Sequence, residues 1–310
     1  MNSIVRTAAI LVLVAVSPAF ACTAPVSVCT RPVKTSFPLI RQGVPAALLI
    51  EASANSAVKL ASANFATDLE RVSGKVPMRL SDVSMARGEL IIAGVVGHSP
   101  AIDELARAGK IKVSDLPGKW EAYKQIVVDN PFRNVPRALI VAGADRRGAV
   151  FGLYDLSQKI GVSPWVWFAD VPVTRQSDVY LVAGERRDQP KVRYRGFFIN
   201  DEAPAFSTWA QKHFGGANSR MYAHVFELLL RLKGNYLWPA MWQPRAFNDD
   251  DPNNMVLADA MGVVMGTSHH EPMTRAQAEW HRHQDQGVTG GKWDYTVNGE
   301  NLRKFWRGGI

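Results

Sequence analysis

From residue 193 onward the chain repeats one rhythm three times: a short apolar strand, a polar loop, an amphipathic helix. Arg195-Gly-Phe-Phe-Ile-Asn reads as the first strand, and Tyr222, Val225, Phe226 and Leu229 mark a helix ended by Gly234. Asn235-Tyr-Leu-Trp-Pro-Ala is the second strand. Asp251 as cap and Pro252 at the first helical position open a helix that Gly262 closes, and Val263-Val-Met-Gly-Thr is the third strand. Thr274 with Gln277 predicts a capping box for a helix through Trp280, and Asn298 is expected to cap a last helix through Trp306. A run of βα units implies a parallel sheet with function at the carboxyl ends of its strands. Three units over residues 186–310 are too few for an eight-fold barrel, which needs about 250 residues. An open three-stranded parallel sheet would expose edges and apolar faces. The expectation is therefore the first three βα units of a TIM-like (β/α)8 barrel, truncated, in the front part of a larger protein.

Residues 37–185 read as a compact, small N-terminal α/β domain. Residues 46–51 form a short apolar strand. Val58, Ala61, Phe65, Leu69 and Val72 place one apolar stripe on a helix that Gly74 closes. Short β runs are expected over residues 89–94, 124–129 and 138–143, and a helix over 148–160 carries Val150, Leu153, Leu156 and Ile160 inward. The charged stretch 184–191 (GERRDQPK) is the expected linker.

Arg6 precedes nine apolar residues, Ser17-Pro18 breaks the run, and Ala19-Phe20-Ala21 supplies the small residues that a signal peptidase reads. Residues 1–21 are thus expected to be an export signal, giving a periplasmic or secreted protein with a short segment, 22–36, before the domain. A lipid anchor on Cys22 is the lesser alternative. Nine helical residues span about 14 Å against a hydrocarbon core of about 30 Å, so this is no anchor, and no integral membrane segment is expected. Cys22 and Cys29 are the only cysteines; they either close a small C-x6-C loop or remain two thiols in a loose segment. The 36 Lys plus Arg exceed the 28 Asp plus Glu by eight, yet no basic block tracks a phosphate backbone, and nucleic acid is not an expected partner.

Polar clusters follow each of the three strands: Asn200-Asp201-Glu202, then Trp238 to Trp242 with residues 248–251, then Ser268-His269-His270-Glu271. Polar and aromatic groups converging at one end of a parallel sheet hold a small polar ligand. Asn200-Asp201 as a turn cap, and Asp249 to Asp251 as caps of the next helix, are the plainer readings. No H-x3-H or H-E-x-x-H pair is present, so neither metal nor cofactor is expected, and His281 and His283 read as solvated helix residues. Gly143-Ala-Asp-Arg-Arg-Gly lacks the spacing of a phosphate loop, and there is no G-x-S-x-G elbow. Trp165, Trp167 and Trp242 are either buried rings or stacking walls, and nine tryptophans exceed what a core requires.

The stretch from about residue 143 to 310, containing GADRRGAVFGLYDLSQKIGVSPWVWFADVPV, RGFFINDEAPAFSTWA, LKGNYLWPAMW, FNDDDPNNMVLADAMGVVMGTSHHEPM and WDYTVNGENLRKFWRGGI, resembles glycoside hydrolase family 115, the xylan α-1,2-glucuronidases. The resemblance implies an inverting removal of glucuronic acid or its 4-O-methyl ether from glucuronoxylan. It implies further domains, and allows a homodimer, in a protein well over twice this length. Inversion needs an acid and a base about 6.5 to 9.5 Å apart. Asp201 and Glu271 are the candidates here, with Glu202 beside Asp201. The resemblance also implies that Asn200, Asp201 and His270 reach the glucuronosyl group and that Trp167 and Trp242 line its pocket. Key acidic residues are expected from later strands, so this chain alone is expected to be inactive; Arg245 is a weak candidate partner for the sugar carboxylate. His269 and Glu202 complete the expected substrate-binding set. The competing class is a non-catalytic glycan-binding or sensing module.

Overall fold

A computed structural model describes residues 22–267 and 271–309. The expected export signal, residues 1–21, lies outside the described residues, as do His269 and His270.

The chain begins with β1 (Val28–Cys29), β2 (Phe37–Arg41), β3 (Val44–Pro45) and β4 (Ala47–Leu49). Helix α1 (Ser56–Ser73) follows, with Asn55 accepting the Ala57 N–H at 3.0 Å and Gly74 closing it at φ 81°, a conformation that favours glycine. Next come β5 (Arg79–Leu80), β6 (Leu90–Val95), α2 (Pro100–Arg107), a hairpin of β7 (Tyr123–Phe132) and β8 (Val135–Gly143), α3 (Arg146–Lys159), β9 (Val179–Leu181) and β10 (Glu185–Asp188). Six of these strands form one sheet in the order β10-β7-β8-β6-β4-β5, in which β8, β6, β4 and β5 run parallel. Alternate residues of β6 face opposite ways. Ile91 and Ala93 join the core beneath α1 and α3, and Leu90 and Ile92 join the core beneath α2. Each fully buried Leu, Ile or Phe of these layers contributes roughly 1.5–3 kcal/mol.

One expectation for this part is corrected: the stretch 184–191 is no linker, because β10 pairs antiparallel with β7 along four residues. Of the two readings of Cys22 and Cys29, the closed loop is the one found: the two are disulfide-bonded, and β1 joins a second, antiparallel sheet of order β1-β9-β2-β3.

The rest of the chain holds β11 (Gly196–Phe198), α4 (Phe206–Phe214), α5 (Ser219–Arg231), β12 (Tyr236–Trp238), α6 (Phe247–Asp250), α7 (Asn253–Met261), β13 (Val264–Met265), α8 (Gln277–Arg282) and α9 (Tyr295–Arg307). The three strands are parallel and lie in sequence order, β11-β12-β13, as three successive βα units require. Gly266 after β13 is demanded by space, since a Cβ there would stand 1.9 Å from the Tyr236 hydroxyl. Asp251 accepts the Asn253 N–H as a cap should, and that of Ser219 as well, each at 2.9 Å. The box expected of Thr274 does not form: Met273 and Thr274 both have positive φ, and α8 starts from Ala276 without a side-chain cap. Helix α9 starts earlier than expected, capped by Asp294, and Asn298 marks a kink inside it.

The two parts share one apolar core, in which α1 and α3 pack on α7 and α5. Buried ion pairs cross the seam. Arg231 of α5 holds Asp68 of α1 through two nitrogens at 2.8 and 3.1 Å, and Arg195 reaches Glu121 at 2.7 Å. Lys233 reaches Asp155 of α3 at 3.2 Å.

Candidate active site

Three chain segments leave the carboxyl ends of β11, β12 and β13 and meet. Asp201, three residues beyond β11, is buried. Its Oδ1 accepts the Met241 N–H at 3.2 Å and its Oδ2 the Trp242 N–H at 3.2 Å, so a carboxylate after one strand fixes the loop after the next. Ser207 at the start of α4 donates its hydroxyl to the Asp201 carbonyl. Below this contact the fully buried Tyr222 of α5 accepts the Ala240 N–H at 3.2 Å, pinning the same loop from the helix side.

Glu271, after β13, is 6% exposed. With Met241, Trp242, Gln243, Gln277 and Ala278 it lines a cavity of ≈ 100 Å³. Among the described residues no cation or hydrogen-bond donor reaches its carboxyl. Burial, reinforced by the neighbouring carboxylates of Asp201 and Asp250, pushes it up to about 8. Asp201 is also raised by burial, but the N–H groups of Met241 and Trp242 pull the other way. The pair is thus asymmetric: one carboxyl is placed to hold a proton near neutrality, and the other is tied to backbone donors. Such divergence is how neighbouring carboxyl groups take different roles.

The other expected residues fall into three groups. Asn200 and Glu202 flank Asp201 and are exposed at the same strand end, and Trp242 stands 41% exposed on the cavity wall. Trp167 belongs to a different cluster: its ring stacks on His224 of α5 at 3.9 Å and meets Trp209 and Phe168 edge-on. His269 and His270 lie outside the described residues. Asp249 and Asp250 do more than cap, because both bind Arg282 of α8. His283 is no solvated bystander: its Nε2 lies 2.7 Å from Asp249, and that hydrogen bond raises its pKa. The sequence marks Tyr222 only as a helix core residue and Asp250 only as one of a polar, helix-capping cluster; their contacts to Ala240 and Arg282 arise from packing across the loops. Among the described residues no group of three or more metal-ligating side chains is present.

Residues 187–310, which carry all three strand ends, match the family model of glycosyl hydrolase family 115. The segment is similar to family 115 chains. A solved structure described as a family GH115 4-O-methyl-α-glucuronidase, BtGH115A, with specificity for decorated arabinogalactans, shares 30% identity and superposes with a TM-score of 0.74. That likeness covers 88% of this chain, including the N-terminal sheet, and 34% of that one, so the chain spans about a third of its family 115 relative. The chitobiase of Flavobacterium johnsoniae (14% identity, TM-score 0.42, covering 80% of this chain and 34% of its own) is a more distant likeness. A mutant β-hexosaminidase of Streptomyces plicatus (14% identity, TM-score 0.44, 80% and 45%) stands at the same remove. No curated protein sequence matches the chain. The mixed α/β fold is consistent with a family-115-like fold, and every strand-end residue named above lies within the matched segment, whereas Trp167 lies before it.

Proposed function

We propose that this chain is the front part of an exported family 115 α-glucuronidase, and that its three βα units open a TIM-like barrel whose mouth receives a glucuronosyl or 4-O-methylglucuronosyl side group of a plant polysaccharide. One observation carries the reading: Glu271 is buried at a strand end with no cation beside it among the described residues, and burial next to Asp201 and Asp250 pushes its carboxyl up to about 8. A glycosidase acid must be protonated at the pH at which it meets its substrate, then surrender that proton to the leaving glycosidic oxygen. Glu271 is assigned that role. Asp201 is assigned to position the loop carrying Met241 and Trp242, and Trp242 to stack on the sugar ring. Asn200, Glu202, His269 and His270 are assigned to its hydroxyls. The base that activates water is assigned to a later strand of a longer chain, in line with the share of the relative that this chain spans.

The polysaccharide backbone is the open choice, because the family 115 relative is described as acting on decorated arabinogalactans rather than xylan. Product analysis on both polymers with the native-length protein tests the proposal. Release of free uronic acid with inverted configuration is expected from at least one, and binding without release from both would favour a glycan-binding module instead. Asp201→Asn in that protein should lower turnover by more than about tenfold with the fold intact, since a mere cap is worth only about 1 kcal/mol. Unchanged turnover would show that the Met241–Trp242 loop keeps its catalytic position without the Asp201 carboxylate.

A further inference from the structure

The cavity beside Glu271 is walled by two separate pieces of chain. Met241, Trp242 and Gln243 belong to the loop between β12 and α6, whereas Gln277 and Ala278 belong to α8. Asp201 and Tyr222 fix the start of the loop through the N–H groups of Ala240, Met241 and Trp242, and these bonds tie it to the β11 strand end and to α5. Its far end is tied to α8 by a different group. Arg282, the last residue of α8, donates Nη2 to the Pro244 carbonyl at 2.5 Å and to Asp250 Oδ1 at 2.9 Å, and Nη1 to Asp249 Oδ2. Asp250 in turn accepts the Ala246 N–H at 3.0 Å, and His283 Nε2 stands 2.7 Å from Asp249. Ala278 precedes Arg282 by one helical turn, so the wall residue and the guanidinium share a side of α8.

The rest of this joint is slight. Ala246, Ala276 and Ala278 form a small buried cluster of their own, and alanine methyl groups bury little apolar area. Asn248 adds one bond, to the Thr274 carbonyl at 2.8 Å. The arginine bonds are charge-assisted, and both carboxylates are largely withdrawn from water, so they outweigh an open surface pair. Only a guanidinium presents a planar fork that can serve a carbonyl and two carboxylates at once; a lysine ammonium is a compact point charge on a flexible stem. The joint has an electrical side as well. Burial raises Glu271, and the carboxylates of Asp201 and Asp250 add to the rise, while Arg282 is the cation that opposes Asp250. Arg282 itself lines no part of the cavity.

We infer that Arg282 is a positioning residue for the reaction: by clasping the loop after β12 to α8, it holds Trp242 at a fixed place relative to the Glu271 carboxyl. The inference rests on the acid role proposed for Glu271. Kinetics of the native-length protein on glucuronoxylan and on decorated arabinogalactan, with Arg282→Met and Arg282→Lys, test it. Arg282→Met should lower kcat/KM per folded molecule about 10- to 100-fold, as a displacement of about 1 Å near the reacting atoms does. Arg282→Lys, which keeps the charge and loses the fork, should fall between that variant and the wild type. Without the cation, Asp250 acts on Glu271 unopposed, so the basic limb of the kcat/KM profile should move up by about half a pH unit or more in Arg282→Met. It should stay in place in Arg282→Lys and move down in Asp250→Asn. An arginine that only supports the fold would lower the yield of folded protein and leave every limb where it was. Hydrogen exchange read by mass spectrometry follows the clasp without activity: the amides of residues 240–246 should exchange about tenfold faster or more in Arg282→Met, with those of α1 unchanged. If the wild type frees no uronic acid from either polymer, the glycosidase reading fails and exchange alone decides for or against the clasp. The inference is overturned if Arg282→Met keeps wild-type kcat/KM per folded molecule, if its basic limb does not move, or if its loop exchanges no faster.

Discussion

Two sets of buried carboxyl groups lie within the same chain and are treated in opposite ways. At the seam between the N-terminal sheet and the βα units, Asp68 meets Arg231 and Arg71, Glu121 meets Arg147 and Arg195, and Asp155 meets Lys159, Arg186 and Lys233. Burial alone would raise Asp155, yet its three cations outweigh that and hold it at about 2. At the strand ends, Glu271 is buried to a similar degree with no cation beside it among the described residues, and burial, reinforced by Asp201 and Asp250, raises it to about 8. Burial therefore raises a carboxyl unless cations beside it reverse the sign, as they do for Asp155. The seam fastens two units together, and the strand end stores a proton.

The largest way to break this comparison is to remove the stored proton's holder. Glu271→Gln in the native-length protein keeps the shape and loses the acid, and turnover should fall about 100- to 10,000-fold. Substrates with a better leaving group, such as an aryl glucuronide, need less protonation and should suffer much less. Equal losses on both substrates would remove Glu271 from the acid's role.

At the seam the corresponding change should cost stability and leave pH behaviour of catalysis alone. Asp68→Ala removes the bidentate partner of the Arg231 guanidinium, 3% exposed, and leaves it only Glu227 at 2.8 Å. Breaking a buried pair from one side costs about 3–5 kcal/mol. Denaturant unfolding measures it. Replacing both residues by apolar ones, Asp68→Leu with Arg231→Met, should recover most of the loss. A double variant as unstable as the single one would mean that the pair does more than compensate its own desolvation.

Much of this fold was legible in the sequence, and the reasons for the rest are local. The 3-4-4-3 spacing of Val58 to Val72 marks α1, and the three strand-loop-helix repeats are where expected, because periodic burial leaves a periodic sequence. Strand β10 was invisible: Glu185-Arg-Arg-Asp is charged because an edge strand faces water and needs protection from further pairing. Asp201 was legible as a strand-end acid. The raised pKa of Glu271 was not, since it follows from burial beside Asp201 and Asp250, and the seam pairs join residues as far apart as Asp68 and Arg231, whose acquaintance no local pattern records.

Acid should act first on the seam. A carboxyl held at about 2 when folded, against 3.8 unfolded, contributes stability that is complete above pH 3.8 and is lost as pH falls toward 2. The wild type should therefore lose about 2 kcal/mol across that window on Asp155's account, and Asp155→Asn, already weakened at pH 7, should show a flatter curve there. Parallel curves would mean that other groups carry the acid sensitivity.

The strand end should show the reverse sign with a smaller amplitude. Glu271 binds its proton more tightly folded than unfolded, so its contribution is intact below pH 4.5 and falls away as pH rises toward about 8. Glu271→Gln, which cannot ionise, escapes that loss. It should match the wild type at pH 4.5 and exceed it by about 1–2 kcal/mol at pH 8, an increment scaled down from the full shift because solvent and side chains relax around a charged group. Thermal unfolding of both proteins at the two pH values reads this directly. A variant that is catalytically dead and more stable at high pH would establish that the chain tolerates an unfavourable buried acid for the sake of its chemistry; a variant less stable at both would place Glu271 with the seam, as one more carboxyl that holds the fold together.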